Sequence, residues 1–181
     1  MTANLLVIGE ITMRMHSRLT PSFTLHYTDW IDDVSAFLAQ EGHRIAHVLT
    51  DGHNGVPRAW MDALPGLKLI SNYGVGYDAI DVGLTGERGV LETHTPGVLS
   101  DEVATTALML MLACYRNLLA SDAFVRGGSW PEERHMGLSR SADHRRVGIL
   151  GLGRIGLALA RKLEPFHAEI FYHNRKERDV P

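Results

Sequence analysis

One short segment constrains the fold of this chain more than any other part of its sequence. Residues 151–156 read GLGRIG, which matches the spacing G-x-G-x-x-G. Glycines are common at turns, so the match is weak by itself, but its surroundings make it specific. It follows the apolar run Val147 to Leu150, opens a stretch of helical period from Arg154 to Leu163, and is followed by the strand-like run Glu169 to His173. This order predicts a β-α-β unit that binds a dinucleotide, and a glycine turn without a ligand is the alternative.

Each glycine of this segment has a separate steric task in such a unit. Gly151 permits the tight turn, Gly153 lets the backbone approach a pyrophosphate, and Gly156 lets the helix pack closely on the strand. The first amides of a helix have no acceptor within the helix and point at an anion. The backbone N–H groups of Arg154 and Ile155 are therefore the predicted phosphate ligands.

The end of the second strand predicts which dinucleotide is preferred. Sites that select NAD place a carboxylate there for the adenosine ribose, and this carboxylate would repel the extra phosphate of NADP. This chain has Asn174 at that position, followed by Arg175 and Lys176. A neutral amide and two cations can hold a phosphate by charge-assisted hydrogen bonds, so NADP is predicted and NAD is less favoured. A solvated loop with no ligand is the alternative interpretation of the two cations.

The first half of the chain alternates short β-prone runs with stretches of helical period. The predicted strands are Asn4 to Ile8, Phe23 to Tyr27, Arg44 to Leu49, Leu67 to Ser71 and Val90 to Thr93, and the predicted helices are Trp30 to Glu41 and Arg58 to Leu64. This alternation predicts an α/β domain with a mostly parallel sheet. The breakers Pro96 and Gly97 end it, so the first domain is predicted to comprise residues 1–97.

A second domain is predicted over residues 98–181, and it begins with a long helix. Apolar residues recur at spacings of three and four from Val103 to Leu119, over about five turns, and Ser100 or Asp101 is expected to cap the helix. Cys114 lies inside this run and is expected to be a small buried residue of the core.

Composition and charge exclude several classes of protein. A net charge of −3 without a basic stripe argues against a nucleic-acid binder. The longest apolar run is far shorter than the ~20 residues that span a bilayer, and the N-terminus does not resemble a signal peptide, so a cytoplasmic protein is expected. No metal site is predicted, because His43 and His47 lie on or beside a predicted strand, where four residues span about 13 Å.

Three stretches of the chain carry a resemblance to a known family. They read LKLISNYGVGYDAIDV, THTPGVLSDEVATTALMLMLACYRNL and RRVGILGLGRIGLALARKLEPF, in this order. They resemble the D-isomer-specific 2-hydroxyacid dehydrogenases, and most closely the glyoxylate and hydroxypyruvate reductase branch. The resemblance implies a flavodoxin-like catalytic domain followed by a Rossmann-type, doubly wound nucleotide-binding domain, which is incomplete here after its second strand. It also implies a homodimer and the NADPH-dependent reduction of a small 2-oxo acid to the D-2-hydroxy acid.

The resemblance also suggests roles for individual residues. It implies that the backbone at Val75 and Gly76 binds the substrate carboxylate, although a plain glycine turn before a helix near Tyr77 is the alternative. Thr106 matches a position near the nicotinamide, and a hydroxyl bonded back to a helix carbonyl is the alternative for Thr106 and for Thr105.

No catalytic residue is assigned. The family's arginine, glutamate and histidine are expected downstream of Pro181, so the chain is expected to be inactive alone. His94 is the best histidine candidate for contact with the substrate cleft, but a hinge histidine with a hydrogen-bonded ring is favoured. A non-catalytic cofactor-binding or corepressor-like protein is the alternative function.

Overall fold

The computed structural model describes residues 2–177, and the chain divides between Val98 and Leu99 into two compact units. Met1 and residues 178–181, the outer ends of the two predicted domains, lie outside the described residues. The first unit contains, in chain order, β1 (Ala3–Val7), α1 (Met13–Leu19), β2 (Phe23–Tyr27), α2 (Val34–Glu41), β3 (Ile45–Thr50), α3 (Arg58–Asp62), β4 (Leu69–Asn72), α4 (Val82–Glu87) and β5 (Leu91–Thr93). The assignment of one unit to substrate binding and the other to nucleotide binding stays a prediction.

The five strands of the first unit form one parallel sheet in the order β2-β1-β3-β4-β5. This is the flavodoxin-like order, so the predicted fold class is confirmed. Because successive side chains of a strand point to opposite faces, β1 contributes to two cores. Leu6 packs with α2, α3 and α4 on one face, whereas Leu5 and Val7 pack under α1 on the other. In parallel sheets the loops that bind ligands lie at the carboxyl ends of the strands, and the turns after β3 and β4 occupy this position.

The first long helix begins later than predicted. The apolar period starts at Trp30, but this residue belongs to a short 3-10 helix, Thr28–Trp30, and α2 begins only at Val34. The side chain of Asp33 accepts a hydrogen bond of 2.9 Å from the amide of Ala36, which is the geometry of an N-cap. A local cap therefore sets the start of the helix, and the apolar period extends beyond it.

A similar cap corrects the helix that was expected near Tyr77. The structure begins α4 at Val82, where the side chain of Asp81 accepts a hydrogen bond of 2.9 Å from the amide of Leu84. The intervening residues remain non-helical, so the turn after β4 is longer than the sequence suggested. This longer turn contains the predicted substrate-binding residues.

The second unit contains α5 (Ser100–Tyr115), α6 (Leu118–Arg126), α7 (Trp130–Glu133), β6 (Arg146–Leu150), α8 (Arg154–Leu163) and β7 (Glu169–His173). β6 and β7 pair in parallel, with Ile149 opposite Tyr172. The helix α5 packs against α8, and Ala104 and Leu163 are buried. The predicted β-α-β unit is present, with α8 and β7 at the predicted bounds.

The long helix predicted through Leu119 is confirmed as far as Tyr115 and is wrong only in its last turn. Asn117 adopts the left-handed conformation at φ +49°, which ends α5 and starts α6 at an angle of 60°. Asn is one of the few residues that tolerates this conformation, so the chain can turn here although the apolar period continues. Among residues 2–177 no single helix is long and apolar enough to cross a membrane, and α5 and α6 reach that length and composition only as this bent pair.

Two further expectations for α5 are wrong. Its N-cap is Leu99, without a side-chain hydrogen bond, whereas Ser100 and Asp101 lie inside the first turn. The acidic side chains there can still interact favourably with the positive end of the helix dipole. Cys114 is exposed rather than buried. Among the residues of α5, only Ala104 is fully buried. The apolar period that includes Cys114 is therefore not fully covered by other elements of this unit.

Candidate functional site

The glycine turn between β6 and α8 is held by two backbone hydrogen bonds. Gly151 adopts φ +93°, a conformation that other residues rarely take, and its amide donates to His173 O at 2.9 Å. The amide of Gly153 donates to Gly151 O at 2.9 Å and closes the turn. The first glycine therefore has the conformational role that was predicted for it.

The other two glycines differ in their surroundings. A Cβ atom on Gly156 would lie 2.5 Å from Gly151 O and 3.1 Å from Ile149 Cγ2, so the first turn of α8 packs directly on the glycine turn. A Cβ atom on Gly153 would meet nothing within 4 Å. Gly156 is thus required by the packing of the protein itself, whereas the space at Gly153 is open to a ligand.

The start of α8 offers unpaired backbone donors. Gly153 is its N-cap and supplies no side chain, and the amide of Leu157 is the first to bond within the helix, to Gly153 O at 3.0 Å. By position, the amides of Arg154 and Ile155 have no acceptor inside the helix. Both residues are exposed, so an anion can reach these amides together with the positive end of the helix dipole.

A hydrogen bond that the sequence did not predict joins the end of β7 to the glycine turn. Asn174 Oδ1 accepts a hydrogen bond of 2.7 Å from the amide of Leu152. Arg175 and Lys176 follow it, both exposed, and neither forms an ion pair within residues 2–177. The Asn174 side chain thus holds the residue that precedes the two cations against the glycine turn.

The turn after β4 packs closely on the turn after β3, and the residues in contact are glycines. A Cβ atom on Gly52 would lie 2.6 Å from Gly76 O, and a Cβ atom on Gly74 would lie 2.7 Å from Gly52 N. Neither position can hold a larger side chain without movement of the backbone. No local signal in the sequence could have indicated that Gly52 contacts Gly76.

The backbone donors of the turn after β4 are free, as an anion site requires. The amides of Val75 and Gly76 donate to no acceptor within the described part of the chain. The adjacent carbonyl of Gly76 is held by the buried side chain of Asn72, whose Nδ2 donates to it at 2.7 Å. Successive free amides in a turn form a concave anion-binding arrangement.

A carboxylate at the end of β3 supports the neighbouring turn. Asp51 accepts hydrogen bonds from the amides of His53 and Asn54 at 2.8 and 2.7 Å, and from Asn54 Nδ2 at 2.8 Å. Burial alone would raise the pKa of this carboxyl, but the hydrogen bonds from Asn54 and His53 together lower it below its ordinary value. Asp51 therefore carries its charge as a structural acceptor that shapes the loop before Gly55.

The two threonines of α5 adopt the alternative geometry described for them. Thr105 Oγ1 donates to Asp101 O at 2.8 Å, and Thr106 Oγ1 donates to Glu102 O at 3.1 Å. Both are exposed on the helix. A contact between Thr106 and the cofactor stays a prediction, because the hydroxyl would have to exchange its helix bond for it.

Within residues 2–177, neither a cluster of metal-binding side chains nor the apolar cavity under α1 provides a competing site. Within residues 2–177 no group of three His, Cys, Asp or Glu side chains is placed to hold a metal ion. A cavity of about 430 Å³ lies between α1 and the sheet, lined mainly by apolar residues such as Leu5, Met15 and Phe23. Neither Val75 nor Gly76 lines this cavity.

Comparison with known proteins agrees with the nucleotide-binding geometry. The family model described as "D-isomer specific 2-hydroxyacid dehydrogenase, NAD binding domain" matches residues 108–181. A 2-ketogluconate reductase of Gluconobacter oxydans is 38% identical over 175 residues, which are 97% of this chain and 55% of that protein. This chain thus spans about half the length of the curated relatives that it matches.

Solved structures give the same result. A 2-hydroxyacid dehydrogenase from Ketogulonicigenium vulgare Y25 has a TM-score of 0.93 and 40% identity, covering 98% of this chain and 56% of that one. An NADPH-dependent glyoxylate/hydroxypyruvate reductase from Sinorhizobium meliloti, in complex with NADP and malonate, has a TM-score of 0.84 and 38% identity, covering 99% and 55%. With its flavodoxin-like sheet, its β-α-β glycine turn and these relatives, the chain belongs to the D-isomer specific 2-hydroxyacid dehydrogenase family.

Proposed function

We propose that the whole protein reduces a small 2-oxo acid, of the glyoxylate or hydroxypyruvate type, to the D-2-hydroxy acid with NADPH. The observation that carries this proposal is the glycine turn of the second unit. Its geometry fits a dinucleotide, because Gly153 leaves open space beside the unpaired amides of Arg154 and Ile155. When bound, the cofactor supplies the hydride. The printed names of several relatives, including reductases of glyoxylate and hydroxypyruvate, support the substrate class.

Residues at the end of β7 support NADP over NAD. Asn174 replaces the carboxylate that would hold the adenosine ribose of NAD, and it leaves Arg175 and Lys176 without ion-pair partners in the described part of the chain. Two unpaired cations can form charge-assisted hydrogen bonds with an additional phosphate. The Sinorhizobium meliloti relative is printed as NADPH-dependent and in complex with NADP. NAD remains the less favoured cofactor.

The free amides of Val75 and Gly76 are proposed to bind the substrate carboxylate. This would hold the acid in one orientation, and orientation is a large part of what an enzyme contributes to hydride transfer. The reaction also needs a proton donor within hydrogen-bond reach of the carbonyl oxygen, and we assign no residue of this chain to that role. The activity is therefore proposed for the whole protein, with the first unit as the substrate-binding domain and the second as the nucleotide-binding domain.

A homodimer is proposed on the basis of exposed apolar side chains in the second unit. Large apolar patches on a protein surface usually mark an interface. The side chains concerned lie on α5 and α6 and are Val103, Met109, Leu110, Leu118, Leu119 and Val125. Sedimentation of the full-length protein measures this directly, and a monomer at micromolar concentration would contradict it. The cytoplasmic location expected from composition stays a prediction.

One experiment tests the activity. The absorbance of NADPH is followed with the full-length protein and a panel that contains glyoxylate, hydroxypyruvate and 2-ketogluconate. We expect steady consumption with at least one of these acids. Tight NADPH binding without turnover of any of them would favour the alternative, a non-catalytic cofactor-binding protein. Absence of NADPH binding would refute the proposal altogether.

A second experiment tests the cofactor preference. Arg175 and Lys176 are both changed to Ala, and binding of NADPH and NADH is measured by calorimetry. One hydrogen bond to a charged group contributes about 1.5 to 3 kcal/mol, which is about tenfold to a hundredfold in affinity, so we expect the double variant to lose at least about tenfold in NADPH affinity, with little change for NADH. Arg161→Ala is the control, because it removes a cation near the opposite end of α8. An equal loss for both cofactors would contradict the role of the two cations.

A further inference from the structure

The turn after β4 is held through three successive carbonyl groups. Gly74 O accepts from the amide of Thr95 at 2.9 Å, Val75 O accepts from His94 Nδ1 at 3.0 Å, and Gly76 O accepts from Asn72 Nδ2 at 2.7 Å. All three donors lie outside the turn, on β4 or just after β5. The carbonyl oxygens of the turn are therefore directed toward the framework of the unit.

Fixing a carbonyl also fixes the next amide. In a trans peptide the C=O of one residue and the N–H of the next share a plane and point in opposite directions. The bond to Val75 O therefore orients the N–H of Gly76 away from the framework, and the bond to Gly74 O does the same for the N–H of Val75. These are the two amides that lack an acceptor in the described part of the chain.

The ring of His94 is suited to this task. A carbonyl oxygen only accepts hydrogen bonds, so the proton of this bond must be on His94 Nδ1. The ring of Tyr77 packs edge-on against the imidazole, with centroids 4.9 Å apart and an interplanar angle of 84°. His94 is half-buried, so both the hydrogen bond and the packing limit its movement.

Asn72 holds the next carbonyl group of the same turn, Gly76 O, and by the same geometry this bond orients the N–H of Tyr77. Its side chain is fully buried, and Oδ1 has no hydrogen-bond partner in the described part of the chain. Leaving a buried oxygen unpaired is unfavourable for stability, so the position is better explained by what Nδ2 does for Gly76 O than by the stability of the fold.

We propose that His94 is a positioning residue, whose Nδ1–H holds the Val75 carbonyl so that the amide of Gly76 stays directed at a bound carboxylate. The proposal rests on the proposed function in one respect, namely that the anion is the carboxylate of the substrate. His94 takes no part in hydride or proton transfer. A hydrogen-bonded ring is the favoured interpretation of His94 from the sequence, and the structure adds the acceptor of that bond, Val75 O.

The test compares two substitutions in the full-length protein. His94→Leu removes the donor and replaces the ring by an apolar side chain of comparable size. His94→Asn instead places an amide nitrogen near the position of Nδ1. Malonate binding is measured by calorimetry with NADP present. We expect His94→Leu to weaken malonate binding about tenfold, the value of one hydrogen bond to a charged group, and His94→Asn to remain within about threefold of the parent. NADP affinity should change less than twofold in both.

His43→Leu is the matched control, because His43 is an exposed histidine of the same unit that lies outside this turn. It should leave malonate affinity within twofold of the parent. Equal malonate affinity in His94→Leu and the parent would overturn the proposal. So would a His94→Asn variant as weak as His94→Leu, because a merely structural role would not be rescued by the amide donor.

A ligand-free measurement separates this proposal from the proposed function. Nitrogen-15 NMR of the parent protein should find a proton on Nδ1 of His94, as the hydrogen bond to Val75 O requires. A proton on Nε2 alone would overturn the positioning role whatever the protein binds. Conversely, a parent protein with the Nδ1–H form that binds NADP but no malonate would refute the proposed substrate site and leave the hydrogen bond established.

Discussion

Replacing two glycines of the nucleotide turn by Ala should have opposite effects on stability. At Gly153 the backbone is extended, with φ −84° and ψ −154°, and a new methyl group would meet no protein atom within 4 Å. Such a Gly→Ala change stabilises a protein by about 0.4 to 1 kcal/mol, since it restricts the unfolded chain. The methyl group would, however, occupy the space that a pyrophosphate needs, so we expect NADP affinity to fall at least tenfold.

At Gly156 the same change should destabilise the protein. Its Cβ would lie 2.5 Å from Gly151 O, so the backbone would have to separate by about 1 Å to reach an ordinary carbon-oxygen contact. Overpacking of this kind costs about 1 to 3 kcal/mol, and the better helix propensity of Ala returns at most about 1 kcal/mol. The expected net loss is therefore about 1 to 2 kcal/mol, with weaker NADP binding as a result of the displaced helix start.

Thermal unfolding and calorimetric titration of the full-length variants measure both quantities. We expect a Tm a few degrees lower for Gly156→Ala and an unchanged or slightly higher Tm for Gly153→Ala. Gly137→Ala is the control, because it also has open space and lies away from the turn. Parent-like NADP affinity in Gly153→Ala would refute the argument that the cofactor backbone approaches at this residue.

Three further changes test other parts of the structure. Gly52→Ala should lower the free energy of unfolding by about 1 to 3 kcal/mol and weaken malonate binding, because its Cβ would lie 2.6 Å from Gly76 O; parent-like unfolding in urea would contradict this contact. The pKa of Asp51 is lowered from its ordinary value of 3.8, so its charge stabilises the fold above about pH 4, and this contribution is lost as the pH falls through the lowered pKa. Asp51→Asn should therefore reduce the loss of stability that occurs as the pH falls below about 4. An unchanged dependence of stability on pH would show that the charge of Asp51 does not contribute to it. Asn117→Gly should leave Tm nearly unchanged, whereas Asn117→Val should lower stability by about 1 to 2 kcal/mol, because Val is strained at φ +49°; similar Tm values for the two variants would argue against the left-handed turn.

The features that the sequence predicted well are those with local causes. The bounds of α8 and β7 follow from a glycine turn and an apolar period that lie within one continuous stretch, and both agree with the structure. The parallel α/β class follows in the same way from repeated strands separated by turn residues. The start of α2 was missed, although the cap at Asp33 is also local, because the apolar period extends past it.

The contacts that the sequence could not predict join distant residues. Gly52 meets Gly76 only because β3 and β4 are neighbours in the sheet, and Asn174 reaches Leu152 only because β7 pairs with β6. Neither residue type nor spacing indicates such a partner. The break at Asn117 is a different case. Apolar residues recur at helical spacing both before and after it, so only the left-handed backbone conformation of Asn117 reveals the bend.

The close contact between the turns after β3 and β4 restricts where side chains can be varied beside the proposed carboxylate site. A Cβ atom at position 52 or 74 would overlap backbone atoms of the neighbouring turn, so any side chain there lowers stability. Tyr73, Val75 and Tyr77 alternate with the glycines, and both tyrosines are about half exposed, at 53% and 43%. Redesign of the protein for a larger or smaller acid should therefore begin at these three positions, where a side chain can be changed without moving the backbone of either turn.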